Sequence, residues 1–255
     1  MDNIHEIIEE NFCLKFELDS LADHLLFGKH ERWVHGFMNK YGDELHLKRY
    51  EFAQNHISGK RVLDIAGGSG YGTYYLAQNG NPLEIHSVDL SEDSVRYAKH
   101  RYPNEKITRF VDNAETYENK DYYDVVVSFE TIEHLSNYSA FLERVFSSLK
   151  SGGKLIISTP VTAVTTTNNI NQFHVIEWSF NDFQQLIRNY FRIDEVFTQN
   201  ISMKSQVVDS FTKKIRYKLN PEKFQTFDSS LKTFKNDIDF KNIHTGFQVL
   251  VCTKE

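Results

Sequence analysis

The chain has 255 residues, which suits one α/β domain with additions. Apolar residues make up 40% and aromatic residues 14%, so a sizeable core is available and global disorder is excluded. A formal net charge of -6, with no basic run, argues against a long nucleic acid as partner.

Residues 1–57 are mostly amphipathic and rich in His, Trp and Phe, and read as a helical N-terminal cap. Residues 61–65 read as a strand that ends at glycines. Residues 71–79 read as a helix, with Gly80 able to take the left-handed position after it. Residues 84–89 are a second strand. Ser91 then caps a helix to Tyr102, with Glu92 and Asp93 in its first turn and Lys99, His100 and Arg101 in its last, which complements the helix dipole. Pro103 stops it. Residues 106–111 are a short third strand, and the β-branched run 123–129 is a buried central one. A helix over Tyr138–Leu149 precedes a Gly152-Gly153 turn. Residues 154–159 form a fifth strand broken by Pro160. Ser179 caps a helix to Tyr190, and 192–198 and 246–253 are the last two strands. Such alternation predicts a parallel sheet with helices on both faces. The organisation read is a cap over 1–57, a core over 58–199, an insertion over 200–245 and the core's last strand over 246–255.

Cys13 and Cys252 stand at opposite ends, with neither metal-type spacing nor a disulfide framework. The start, Met1-Asp-Asn-Ile-His-Glu6, has no signal-peptide pattern, and no apolar run reaches a membrane span. The expectation is a cytoplasmic protein without membrane insertion.

The chemistry concentrates at Asp64-Ile-Ala-Gly-Gly-Ser-Gly70. A strand, a glycine turn and a helix start let the backbone approach a ligand and offer it free N–H groups. The dinucleotide pattern fails because position 73 is Thr, and no Gly-Lys-Ser/Thr follows as a P-loop needs. An acid at Asp64 disfavours pyrophosphate and suits an ammonium beside a sulfonium. Asp89, ending the second strand, is placed to accept from two ribose hydroxyls.

These residues resemble the class I S-adenosylmethionine (SAM)-dependent methyltransferase family. Asp64–Gly70 matches its acid-x-Gly-x-Gly-x-Gly motif, with Ala66 for the first glycine. Asp89 matches its ribose acid, Asp112-Asn113-Ala114 its adenine edge, and Phe129–Leu135 and Leu149–Ile157 its segments after the fourth strand and into the fifth. The resemblance implies a Rossmann-like, seven-stranded, mostly parallel sheet with a reversed last strand. It also implies SAM as cofactor, held by Tyr50, Asp64, Ala66, Gly67, Gly68, Gly70, Asp89, Leu90, Asp112, Asn113, Ala114, Phe129 and Glu130. A narrower resemblance, of Glu31–Val34 and Leu47–Ala53, is to bacterial methyltransferases of sugars and surface glycans. It implies that Arg49 or Tyr50 closes over the methionine end of the cofactor.

His174 and His134, both on the carboxyl side of the sheet, are the candidate catalytic bases, since a neutral imidazole can take a hydroxyl proton. The resulting reading is O-methylation of a small polar acceptor such as a sugar, or a nucleotide- or phospho-sugar derivative. No metal is assigned. Two alternatives stay open. Glu130, Glu133, His134 and His174 resemble the divalent-metal site of small-RNA 3′-end and some quinone-precursor O-methyltransferases, which implies metal-assisted O-methylation of a diol or catechol-like hydroxyl; the other alternative is a SAM-binding accessory protein without turnover.

Overall fold

The computed structural model describes residues 2–27, 33–37, 40–169, 171–203, 230–233 and 243–255. Two helices, α1 (Asp2–Ala22) and α2 (Lys40–Ala53), precede the first strand, with a π-helical turn Asp23–Phe27 after α1. The core then alternates: β1 (Arg61–Ile65), α3 (Tyr71–Asn79), β2 (Glu84–Asp89), α4 (Glu92–Arg101), β3 (Ile107–Val111), β4 (Tyr123–Phe129), α5 (Tyr138–Ser148) and β5 (Leu149–Thr162). It closes with β6 (Trp178–Ser179), α6 (Phe180–Arg188), β7 (Arg192–Met203), β8 (Lys232–Thr233) and β9 (Ile243–Thr253).

The strand order is β3-β2-β1-β4-β5-β9-β7-β8. β1 to β5 pair in parallel, and β9 runs antiparallel to both β5 and β7. The seven principal strands and the reversed last strand are as expected. The described residues add two strands of two residues each, β6 against β5 and β8 against β7, too short to carry a periodic signal. Alternate residues divide between the two faces. Leu63, Val126, Leu155, Ile157 and Leu250 pack with Phe141 and Leu142 of α5 and Phe183 of α6. Val62, Val125, Val127, Ile156 and Val249 pack with Ala53 of α2 and Leu76 of α3. This is the period of two that a sheet covered on both faces requires.

Several local expectations need correction. Gly80 has φ -93 and ψ -6, so it is right-handed, and Asn81 takes the positive φ of 48° instead. What Gly80 provides is space, because a Cβ there would lie 2.4 Å from Ile57 Cδ1. Pro160 does not break the fifth strand, which runs to Thr162. It sits between the last β4 partner, Ser158, and the first β6 partner, Val161, where a missing N–H disrupts neither ladder. Gly152 and Gly153 belong to an irregularity inside β5 rather than to a separate turn, with Gly152 at φ 73°. Ser91 and Ser179 cap as read, accepting from Ser94 N and Asp182 N, although both helices end one or two residues early. Glu31 and Arg32, and residues 204–229 and 234–242 of the expected insertion, lie outside the described residues. Among the described residues no helix is long and apolar enough to cross a membrane.

Candidate active site

In the order 3-2-1-4-5 the chain reverses direction between β1 and β4, and ligands of open α/β sheets bind at the carboxyl edge of such a switch point. The expected residues gather at that edge. Ala66, Gly68 and Gly70 have φ of 61°, 56° and 84°, so the loop after β1 curls through left-handed backbone. Gly67 must be glycine for a different reason: a Cβ there would lie 2.4 Å from Ser87 Oγ.

Asp89 ties this loop to the end of β2. Its Oδ2 accepts from Gly68 N at 2.8 Å and its Oδ1 from Ser91 N at 2.9 Å. Each carboxylate oxygen has a second lone pair, so hydroxyl donors can still be accepted. Leu90 beside it is exposed. Asp112 N donates to Asp89 O at 3.0 Å, which brings Asp112, Asn113 and the buried Ala114 alongside.

Asp64 lies at the start of this loop. Its carboxylate is buried behind the loop, accepting from Thr73 Oγ1 and, at 3.5 Å, from the Tyr50 hydroxyl. It therefore braces β1 against α3 and α2 from behind the loop. Burial pushes its pKa up to about 6. A carboxyl raised in the folded state stabilises most below its unfolded value of 3.8, and that contribution is lost as pH rises through about 6. Between pH 4 and pH 8 the protein should therefore lose on the order of 2–3 kcal/mol relative to Asp64→Asn. Denaturant titrations of both proteins at the two pH values measure this, and parallel pH dependences would remove the claim.

Tyr50 lies across the loop. Its ring stands edge-on to Phe129, centroids 5.0 Å apart, and a Cβ on Gly72 would lie 2.1 Å from it. Trp33 packs rather than presenting a free face. Its indole donates to Asp43 Oδ1 at 2.7 Å and stacks on His46, while its carbonyl accepts from Ser69 Oγ.

Beyond β4 the backbone turns at Glu130, with φ 51°. Ser158 Oγ accepts from Glu130 N at 3.2 Å and donates to Glu130 Oε1 at 2.6 Å. Fully buried Arg49 reaches the same place from α2. Its Nε donates to Gln199 Oε1 at 2.9 Å, its guanidinium lies 4.5 Å over the Phe247 ring, and Nη1 is 3.7 Å from Glu130 Oε1. Neither Nη1 nor Nη2 has a hydrogen-bond partner. Glu133 is also fully buried. Thr159 Oγ1 donates to its Oε2 at 3.2 Å, and Oε1 has no partner. Burial, then the charge of Glu130, holds its carboxyl well above the usual range.

The two histidines meet at right angles, ring centroids 4.9 Å apart. The carbonyl of Phe173 accepts from His134 Nδ1 at 3.0 Å, which puts the lone pair on Nε2. His174 is held at both nitrogens. Asn171 Oδ1 accepts from Phe173 N, so its Nδ2 faces His174 Nε2 at 2.9 Å and donates to it. His174 Nδ1 then donates to Glu177 Oε1 at 2.7 Å. Asn171 and Glu177 escaped notice in the sequence, where residues three before and three after a loop histidine carry no signal. Glu133, His134 and His174 can bring one ligand atom each within 4.8 Å of one another. Glu130 is not among them, so the four-residue metal set reduces to three.

Known proteins resemble this chain in sequence and in fold. Residues 38–245 match the family model described as methyltransferase domain. A Mycolicibacterium smegmatis protein named "Probable S-adenosylmethionine-dependent methyltransferase" is 29% identical over 161 residues, 62% of each chain. The ubiquinone biosynthesis O-methyltransferase of Rickettsia akari is 28% identical over 157 residues, 55% of this chain and 61% of that one. The chain thus spans under two thirds of the length of these curated relatives. The crystal structure of the [4+2]-cyclase SpnF superposes with a TM-score of 0.61 at 13% identity, covering 95% of this chain and 93% of that one, which is a likeness of fold alone. With a family model matched over most of its length, an ordered set of motifs and the fold to go with them, this chain belongs to the class I SAM-dependent methyltransferase family.

Proposed function

We propose that the chain transfers a methyl group from SAM to a hydroxyl oxygen of a small polar metabolite. The observation that carries this is the convergence, at one switch point, of the curled loop Ala66–Gly70, the half-buried Asp89 and the Arg49 guanidinium, whose two Nη groups make no hydrogen bond. Bound SAM supplies an electrophilic methyl on a sulfonium. Asp89 takes the ribose hydroxyls, with Leu90 beside it, and Asp112, Asn113 and Ala114 edge the adenine. Two adjacent buried N–H groups on one guanidinium suit a carboxylate in bidentate fashion, so Arg49, with Tyr50 over the loop, receives the methionine end. Phe129 and Glu130 border the reacting methyl. Alignment of the acceptor behind the sulfonium is the chain's main contribution.

His134 is the better placed proton acceptor. Its Nδ1–H donates to the Phe173 carbonyl, which makes Nε2 its basic nitrogen, while the basic nitrogen of His174, Nε2, accepts from Asn171. His174, fixed by Glu177 and Asn171, positions His134 through the perpendicular ring contact. His134→Ala should lower S-adenosylhomocysteine formation on the order of 10²-fold or more with SAM affinity unchanged. His174→Ala should lower it less. The reverse ranking in turnover assays would return the role to His174.

The acceptor first in line is a sugar, or a nucleotide- or phospho-sugar derivative, on the resemblance of Leu47–Ala53. Turnover across panels of sugars and of phenolic hydroxyls tests it, and activity confined to the phenols would overturn it. A second reading is metal assistance, favoured by the proximity of Glu133, His134 and His174 and by the unpaired Oε1 of Glu133. The donor set fits a divalent ion only if His174 gives up Asn171 or Glu177. Full turnover in EDTA removes that reading.

A further inference from the structure

Helix α1 shows two different faces. The inner face meets α4. Cys13 and Phe16 are buried, Phe16 stacks on Tyr97 with centroids 4.4 Å apart, and Glu9, Glu10 and Glu17 pair with Arg96 and Arg101. The outer face is apolar and open: Ile4 is 66% exposed, Ile7 53%, Leu14 46% and Leu18 64%. Ile8, and Leu25 and Leu26 on the π-helical turn, continue it. A contiguous exposed apolar stripe of this kind marks an interaction surface more often than scattered single residues do.

Its spacing identifies the occupant. Positions 4, 7, 11, 14 and 18 alternate steps of three and four, which is the a and d seam of a heptad repeat. Asn11, exposed at an a position, is the one polar residue in that seam. An a-position Asn fixes register by meeting its own copy in a parallel pair, while against an apolar d residue it would be buried unsatisfied. A lipid surface fits less well, because Glu6, Glu9, Glu10, Glu17 and Asp19 crowd this helix and Lys15 is its one Lys or Arg.

We propose that the outer face of α1 is a self-association surface, on which two copies of this chain pair as a short parallel coiled coil. The contact is isologous, each copy offering the same stripe to a two-fold axis. The surface lies on the side of α1 away from α4, and neither the loop after β1 nor the His134–His174 pair contributes to it.

Sedimentation equilibrium of the whole chain across the micromolar range should show a dimer. The double variant Ile7→Asp with Leu14→Asp should weaken it on the order of 10²-fold, with helical circular dichroism and SAM affinity retained. Ile4→Cys should form a disulfide-linked dimer on mild oxidation, since the native Cys13 and Cys252 are buried and residue 4 meets its own copy only in the parallel arrangement. A monomeric wild type would overturn the proposal. So would a double variant that still dimerises, or dimeric Ile4→Cys that does not cross-link. Binding to vesicles of phosphatidylcholine and phosphatidylglycerol by a wild type that stays monomeric would assign the stripe to membranes and overturn it equally.

Discussion

Replacement of Asp89 by Ala should weaken SAM binding by about 10- to 100-fold. The carboxylate makes two charge-assisted bonds to backbone, to Gly68 N and Ser91 N, and these fix the loop against the end of β2. The same group is proposed to accept from the ribose hydroxyls. A hydrogen bond to a charged group contributes about 1.5–3 kcal/mol, and each 1.4 kcal/mol is tenfold in affinity. Part of the loss is a loop no longer shaped for the ligand, part the missing acceptor. Asp89→Asn separates the two. Its one remaining carbonyl oxygen can hold a single backbone donor while the amide opposes the other, so its affinity should fall between those of the wild type and Asp89→Ala. Calorimetric titration with SAM reads all three proteins. Equal dissociation constants would sink both the ribose role and the anchoring role.

Arg49→Ala should be the most destabilising single change in the site, by about 3–5 kcal/mol. The side chain is fully buried, and its removal empties the space over Phe247 and takes a donor from Gln199 Oε1. At the usual 2–4 °C per kcal/mol for a chain of this size, the midpoint should drop by about 10 °C. Arg49→Met keeps most of the volume without the charge, so it should recover much of that stability. If the two Nη groups receive the carboxylate of SAM, Arg49→Met should nevertheless bind SAM at least roughly tenfold more weakly. Thermal melts and titrations of the two variants therefore answer different questions. A stable Arg49→Met protein with wild-type affinity would confine Arg49 to packing.

The contrast between Asp89 and Arg49 shows which parts of the site were legible in the sequence. The loop, Asp89 and the Asp112–Ala114 segment are each set by a strand end and the few residues after it, and local pattern is enough to place them. Arg49 is held by Gln199, 150 residues away, and by Phe247, so its burial is a product of the sheet order. Asp64 was legible as a residue of the loop but not as a buried one. Its orientation depends on Thr73 from α3 and Tyr50 from α2 closing over it. His174 was visible as a candidate, but its capture by Asn171 and Glu177 depends on the backbone path of 171–177. In α1, Phe12, Cys13 and Phe16 on one side mask the heptad on the other, so the sequence shows one apolar helix where the structure shows two faces. Pro160 illustrates the opposite error, a strong local breaker overruled by the place it occupies between two ladders.

Whether this edge of the sheet holds SAM can be read from a crystal structure with S-adenosylhomocysteine. The ribose hydroxyls should lie on the Asp89 carboxylate, the adenine beside Asp112, Asn113 and Ala114, and the amino acid carboxylate at Arg49 Nη1 and Nη2. An adenosyl group bound elsewhere, or bound here with Asp89 untouched, would contradict that placement.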